Sequence, residues 1–207
     1  MRVCETFRSL QGEGKKIGVP TYFIRTVGCN LQCLWCDTQY ASSEEGKEMS
    51  VDELMDIVKD EKDVCLTGGE PMLQTDTPEL LRRLSEAGKT VVLETNGSIS
   101  IKDLTYDNVI ISMDIKCPYS GMHERMDFGN ISLLREKDQL KFVISDGVDL
   151  EYAIGILEKY KPKCEVIFTP VGGMDIEPLA EEVVERRIDA RVLPQLHKII
   201  WGNKRAV

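Results

Sequence analysis

Residues 20–36 read Pro-Thr-Tyr-Phe-Ile-Arg-Thr-Val-Gly-Cys-Asn-Leu-Gln-Cys-Leu-Trp-Cys. The first eight have the β-branched and aromatic content of a strand. That strand runs directly into Gly28 and three cysteines, Cys29, Cys33 and Cys36. The spacing is Cys-x3-Cys-x2-Cys, and a fourth cysteine that would close the set is missing from the loop. Cubane iron–sulfur clusters that only carry electrons usually take four protein thiolates. Three thiolates leave one iron open to a substrate or cofactor, which is the layout of a reactive cluster. A zinc module is the competing reading, with His197 or Cys117 as fourth ligand. Zinc favours paired Cys-x2-Cys knuckles, and only one such pair is present.

The rest of the chain alternates strand and helix in the same style. Asp63–Thr67 is a short apolar strand that stops at Gly68-Gly69, and strands follow at Thr90–Glu94, Val109–Ile115, Gln139–Ser145, Glu165–Thr169 and Ala190–Leu196. Ser50-x-x-Glu53 is a capping box ahead of Leu54, Ile57 and Val58 at helical spacing. Thr77-Pro78 supplies an N-cap and a first-turn proline, with Leu80, Leu81 and Leu84 as the apolar face and Gly88 as the stop. Helices at Asp149–Lys159 and Glu177–Ile188 complete the pattern. Apolar strands alternating with helices suit a parallel sheet covered by helices. Stretches 96–108 and 118–138 carry little helix, and the 207 residues fall short of the roughly 250 of a complete eight-stranded barrel. The expected fold is α/β: an open, partial parallel β/α barrel of about six or seven strands with reduced helices, forming a single domain over residues 1–207.

Composition narrows the classes. The formal charge of −9 argues against a partner bound through its phosphate backbone, so no direct nucleic-acid contact is expected. No run of about 18 apolar residues is present, so no membrane partner is expected either. The opening Met1-Arg-Val-Cys-Glu-Thr-Phe-Arg-Ser lacks the apolar block of a signal peptide, which points to the cytoplasm. Seven cysteines in such a chain read as metal or redox chemistry and not disulfides. Cys65 and Cys164 lie in apolar runs and read as small buried hydrophobes. Cys117 beside Pro118 stays open.

In parallel α/β folds chemistry gathers at the C-terminal ends of strands. Those ends carry the cysteine loop, then Thr67-Gly-Gly-Glu-Pro71, Glu94-Thr-Asn-Gly97, Ser112-Met-Asp-Ile-Lys116, Ser145, Thr169 and Gln195-Leu-His197. Gly68-Gly69 and Asn96-Gly97 are compatible with plain turns, and Asp114 with Lys116 with a structural ion pair. With Glu70 beside them, the glycines could instead let backbone approach a ligand while the carboxylate takes a cationic amine. His197 is one of two histidines, equally compatible with a structural and a ligand-contacting role. Ahead of the cysteines, Gln11 and Glu13 in Gln11-Gly-Glu-Gly14 offer an amide and a carboxylate that could read the edge of a heterocycle. A solvated glycine-rich turn is the alternative. Arg25, inside the first strand, needs a partner, and a substrate carboxylate would supply one through a bidentate pair.

The Cys29–Cys36 motif, with Gly68-Gly-Glu-Pro71 on a following strand end, resembles the radical S-adenosylmethionine enzymes. The resemblance implies a [4Fe–4S] cluster on the three thiolates. S-adenosylmethionine would sit on the open iron and be split by one electron into a 5′-deoxyadenosyl radical. A narrower resemblance runs over about residues 4–202, through Phe7–Gly14, Phe23–Arg25, Gly28–Thr38, Thr67–Gln74, Glu94–Gly97 and Pro194–His197. It is to the 7-carboxy-7-deazaguanine synthase family. It implies ring contraction of 6-carboxy-5,6,7,8-tetrahydropterin with loss of ammonia, towards queuosine or archaeosine. Leu10, Gln11, Gly12, Glu13, Thr67 and His197 would then contact the pterin, and Arg25 its carboxylate. Trp35, Cys36, Asp37, Gly69, Glu70, Ser112, Asp114 and Lys116 would attend S-adenosylmethionine. Thr38 would give its hydroxyl to a Mg2+ ion, a hard cation suited to oxygen and water. The resemblance further implies a homodimer and an electron donor such as flavodoxin or ferredoxin. The tail Trp201–Val207 continues past the expected stop, which argues against a substrate contact by Val207. A glycyl-radical activase on the same scaffold is the remaining alternative. Such enzymes usually lack the Gln11–Gly14 segment and often carry extra ferredoxin-like cysteines.

Overall fold

The structure is a computed structural model that describes residues 1–43 and 45–207. Its strands are β1 (Arg2–Leu10), β2 (Pro20–Thr26), β3 (Lys47–Glu48), β4 (Asp63–Gly68), β5 (Thr90–Thr95), β6 (Val109–Ile115), β7 (Gln139–Ile144), β8 (Glu165–Pro170) and β9 (Arg191–Val192). Its helices are α1 (Tyr40–Ser43), α2 (Val51–Ile57), α3 (Thr77–Glu86), α4 (Gly147–Tyr160), α5 (Glu177–Glu185) and α6 (Leu196–Trp201). Among the described residues the strands form one open sheet in the order β3-β1-β2-β4-β5-β6-β7-β8-β9. From β2 to β9 every pairing is parallel; β1 is antiparallel to both its neighbours. The open parallel α/β class is as expected. The strand count is nine and not six or seven, because β1 and the two-residue β3 add to the edge.

The period-2 alternation of strands explains how this sheet positions a site. One face presents Ile24, Val64, Leu66, Val91, Leu93, Ile111, Met113, Leu140 and Phe142, and buries them against Leu54, Leu80, Leu81, Leu84, Leu150 and Ala153 from the helices. Burying each such side chain stabilises the fold by about 1.5–3 kcal/mol. The other face starts apolar, with Phe7, Phe23, Cys65, Val92 and Ile110 in one row across five strands. Two residues further along each strand the same face turns polar: Arg25, Thr67, Glu94 and Ser112. Arg25, Thr67 and Glu94 of that row form the floor of a cavity.

Three local expectations need correcting. Ala190–Leu196 is not a full strand: only Arg191–Val192 pairs with β8. Pro194 lacks an N–H for the ladder, and the chain turns into α6, so His197 arrives on a helix. Thr77 is not the N-cap of α3. Asp76 holds that position and Thr77 Oγ1 donates to the Pro71 carbonyl at 2.6 Å. Residues 2–10, absent from the expected strands, form β1. Only Val3 of that strand is fully buried, which leaves little apolar alternation to read. The capping box is present, with Glu53 N donating to Ser50 Oγ at 3.2 Å and Ser50 N to Glu53 Oε2 at 2.7 Å.

Candidate active site

The cysteine loop hangs on two glycines. Gly69 N donates to Thr26 O at 3.2 Å, and Glu70 N donates to Gly28 O at 2.7 Å. A Cβ on Gly68 (φ +145°) would lie 2.3 Å from Thr26 O, and one on Gly69 would lie 2.1 Å from Gly28 O. Gly68-Gly69 is therefore a close approach of the β4 end to the β2 end, which no side chain permits. It presses backbone against Gly28-Cys29.

Cys29, Cys33 and Cys36 all line one cavity of about 960 Å³, at the upper end of the usual size range of ligand pockets. Burial pushes the Cys29 thiol up, and pushes Cys33 to about 11 against the pull of Lys116, with the other two cysteines adding to it. A bound metal would take these sulfurs as thiolates. Leu31 N donates to Cys29 Sγ at 3.4 Å, Asn96 Nδ2 to the same sulfur at 3.8 Å, and Thr38 Oγ1 lies 3.7 Å from Cys36 Sγ. Among the described residues no three thiol, imidazole or carboxylate groups converge on one point. A single zinc ion needs such convergence. A cubane does not, because its three thiolates bind three different irons, and this donor set fits it.

The Glu70 carboxylate is committed elsewhere. It is fully buried behind the cavity wall, accepting from Met72 N at 2.9 Å, Thr95 Oγ1 at 2.9 Å and Asn96 N at 2.6 Å. Burial raises its pKa against these three bonds. The carboxylate thus joins the ends of β4 and β5, and does not stand ready for an incoming amine. Ser112 is likewise buried outside the cavity wall. Its hydroxyl accepts from Gln139 Nε2 at 2.7 Å and hydrogen-bonds the Glu94 carboxylate.

The floor carries a chain of charge. Lys141 Nζ donates to Glu13 Oε2 at 2.6 Å and Glu94 Oε2 at 3.0 Å, and Gln195 Nε2 donates to Glu13 Oε1 at 2.6 Å. Gln11 sits beside it, with its Oε1 accepting from Gly12 N at 2.9 Å and its Nε2 donating to Cys65 Sγ at 3.6 Å. Leu196 N donates to Gly12 O at 2.9 Å, which docks α6 on this loop. His197 Nε2 then lies 3.9 Å, and Lys198 Nζ 3.3 Å, from Asp37 Oδ2. Burial opposes the charge on Asp37, but these two neighbours prevail and hold its pKa down to about 2. Near the cysteines, Lys116 Nζ donates to Asp114 Oδ2 at 2.8 Å and stands 4.7 Å from the centre of the Trp35 ring.

Arg25 already has a partner. Its Nε donates to Glu5 Oε1 at 2.8 Å, and Tyr40 OH donates to the same oxygen at 3.0 Å. The tail reaches this corner as well. The Arg205 guanidinium stacks 3.6 Å from the Tyr40 ring centre and lies 3.4 Å from Glu5 Oε2, while Ser9 Oγ donates to Val207 O. Val207, argued above to lie away from the substrate, is part of the cavity wall.

Most of the expected site residues share that wall: Leu10, Gln11, Gly12, Glu13, Arg25, Trp35, Cys36, Asp37, Thr38, Thr67, Gly69, Asp114, Lys116 and His197. Glu70 and Ser112 stand behind it. Sequence reasoning passed over Lys141 and left Glu94, Asn96 and Gln195 without roles. A charged residue inside the apolar run Gln139–Ile144 was the available signal, since a lysine there must find buried partners.

Comparison with known proteins agrees with this geometry. The Radical SAM superfamily profile matches residues 23–133. The chain is 42% identical over 206 residues to a 7-carboxy-7-deazaguanine synthase of Thermoplasma acidophilum, covering 98% of each sequence. It is 43% identical over 206 residues to the protein of that name from Methanospirillum hungatei, covering 97% of this chain and 85% of the relative. The crystal structure of QueE from Escherichia coli superposes with a TM-score of 0.71 at 24% identity, over 92% of each chain, a likeness of fold.

Proposed function

The chain belongs to the Radical SAM superfamily and, within it, to the 7-carboxy-7-deazaguanine synthases, and from that footing we propose its reaction. It contracts the ring of 6-carboxy-5,6,7,8-tetrahydropterin to 7-carboxy-7-deazaguanine with loss of ammonia, in the biosynthesis of 7-deazapurines such as queuosine and archaeosine. The supporting observation is that one cavity contains both the three cysteines and the Gln11–Glu13 loop with Arg25. When bound, a [4Fe–4S] cluster and S-adenosylmethionine supply a one-electron cleavage that yields a 5′-deoxyadenosyl radical.

The chain's own residues bind and orient. Leu10, Gln11, Gly12, Glu13, Thr67 and His197 surround the heterocycle. Glu13, held ionised by Lys141, accepts from its N–H edge. Arg25, braced through Nε by Glu5, offers the rest of its guanidinium to the substrate carboxylate. Trp35, Cys36, Asp37, Gly69, Asp114 and Lys116 attend S-adenosylmethionine, with Glu70 and Ser112 acting through the backbone and side chains they hold. Thr38 would give its hydroxyl to Mg2+, a hard cation suited to oxygen ligands.

We read residues 1–207 as one domain that works as a cytoplasmic homodimer and takes its electron from a flavodoxin or ferredoxin. Among the described residues no helix is long and apolar enough to cross a membrane.

Anaerobic reconstitution tests the reading. The protein should take up about four irons, cleave S-adenosylmethionine after reduction, and convert the carboxytetrahydropterin. An intact cluster without cleavage would reject the chemistry. Arg25→Ala should lose conversion while uncoupled cofactor cleavage survives; equal loss of both would reject Arg25 as the carboxylate clamp.

A further inference from the structure

Asn96 closes a ring of hydrogen bonds beside Cys29. Ser98 N and Ser98 Oγ donate to Asn96 Oδ1 at 3.0 and 2.6 Å. Asn30 Nδ2 donates to Ser98 Oγ at 2.8 Å. Asn96 Nδ2 donates to Asn30 Oδ1 at 3.0 Å and to Cys29 Sγ at 3.8 Å.

Amide orientation is often ambiguous, but here it is decided. The Ser98 backbone N–H can only donate, so the atom facing it must be Oδ1, and the amide nitrogen must face the sulfur. The residue is also immobilised. Its backbone N–H is bound by Glu70 Oε2 at 2.6 Å, and only 6% of its surface is exposed. An Asn-Gly turn needs none of this.

We propose that Asn96 tunes the reduction potential of the cluster by donating its side-chain N–H to the Cys29 thiolate. The inference rests on the cluster reading above and deepens it. Hydrogen bonds to cluster sulfurs are among the factors that set an iron–sulfur potential, and outer-shell partners act through the ligands they hold. Reduction adds one electron to the cluster and its sulfurs. A donor aimed at a sulfur stabilises that added negative charge and raises the potential. Loss of the donor makes the cluster harder to reduce. Leu31 N–H supplies a second such bond to the same sulfur, so Cys29 is the thiolate on which the protein concentrates this effect.

The test is a potentiometric titration of the reconstituted full chain without S-adenosylmethionine, followed by electron paramagnetic resonance of the reduced cluster. Asn96→Leu should shift the midpoint negative, with the reduction equilibrium weakened on the order of tenfold, about 59 mV for one electron. Asn96→Asp keeps the oxygen that faces Ser98 and replaces the donor with negative charge, so its midpoint should fall further. If the leucine variant takes up less iron than wild type, the aspartate variant alone decides. An unchanged or raised midpoint would overturn the proposal. So would an unchanged midpoint joined to a raised KM for S-adenosylmethionine, which would make Asn96 a cofactor contact. Wild-type protein that takes up no cluster would overturn the functional reading itself, before any variant is compared.

Discussion

Lys141 Nζ donates to Glu13 Oε2 across 2.6 Å, tying the floor of the sheet to the loop that precedes the cysteines. Glu94 shares the same ammonium. Removing one partner from a buried ion pair leaves uncompensated charge and costs about 3–5 kcal/mol. Lys141→Met should destabilise the protein by about that amount in urea unfolding, and should abolish pterin conversion while uncoupled cleavage of S-adenosylmethionine survives. A variant as stable and active as wild type would show that Glu13 does not depend on Lys141.

The same cluster dictates a pH profile. Burial disfavours charge on Glu13, but Lys141 outweighs it and holds the pKa below the ordinary 4.5. Glu13 therefore contributes stability above about pH 4.5, which is lost as pH falls through its lowered value. Burial also disfavours charge on Lys141, but the two carboxylates hold its pKa well above 10.5. Its contribution is complete below about pH 10.4 and is lost only at more alkaline pH. Glu94 is raised, by burial first, so acidification relieves some of the cost of its charge. The stability gap between wild type and Lys141→Met should shrink as pH falls from neutral through the carboxylate range, because the buried carboxylates left unpaired in the variant take up protons before those of wild type. Thermal unfolding across that range measures it, and a gap that widens in acid would contradict the assignment.

Gly12 is the contact point for His197. A Cβ there would lie 2.2 Å from His197 Nδ1, while Leu196 N holds the Gly12 carbonyl and keeps the backbone from yielding. Gly12→Ala should push the imidazole out of the cavity. A rise in pterin KM on the order of tenfold, about 1.4 kcal/mol, is expected, with the melting temperature little changed. Steady-state kinetics with an unchanged KM would separate His197 from the substrate.

Glu70→Gln keeps the size of the side chain but replaces one oxygen with an NH2 group, facing donors that include Asn96 N and Met72 N. Leaving buried polar groups unpaired costs about 1–3 kcal/mol each. Denaturant unfolding should show that loss, and the reconstituted variant should retain less iron. Full stability would mean that the junction between β4 and β5 does not rest on this carboxylate.

Strands β4 to β8 were readable because they are near-continuous apolar runs buried in a parallel sheet. The N-terminal β1 was not, because it pairs antiparallel near an edge and buries little; its Glu5 looks like solvated charge until β2 brings Arg25 beside it. His197 was recognised by its neighbours in sequence, yet its approach from a helix depended on where Pro194 ended the pairing. The cysteines and Gly68-Gly69 stood out because their chemistry is local. Lys141 did not, and Glu94 and Asn96 stood in a noticed motif without a role, because their partners lie 128, 47 and 67 residues away. Register between strands, which no short motif carries, is what brings them together.

The cavity wall is drawn from two physically separate sources. The cysteine loop and the ends of β2, β4, β5 and β6 make one side, while residues 9–13 and the segment from Gln195 to Val207 make the other. The second set is joined to the first by the β1–β2 ladder and by Lys141 to Glu13, Lys198 to Asp37 and Arg205 to Tyr40. The two walls therefore come from different stretches of the chain yet share contacts at Asp37 and Tyr40. A change in either outlying segment would be felt on the cysteine side through those two residues.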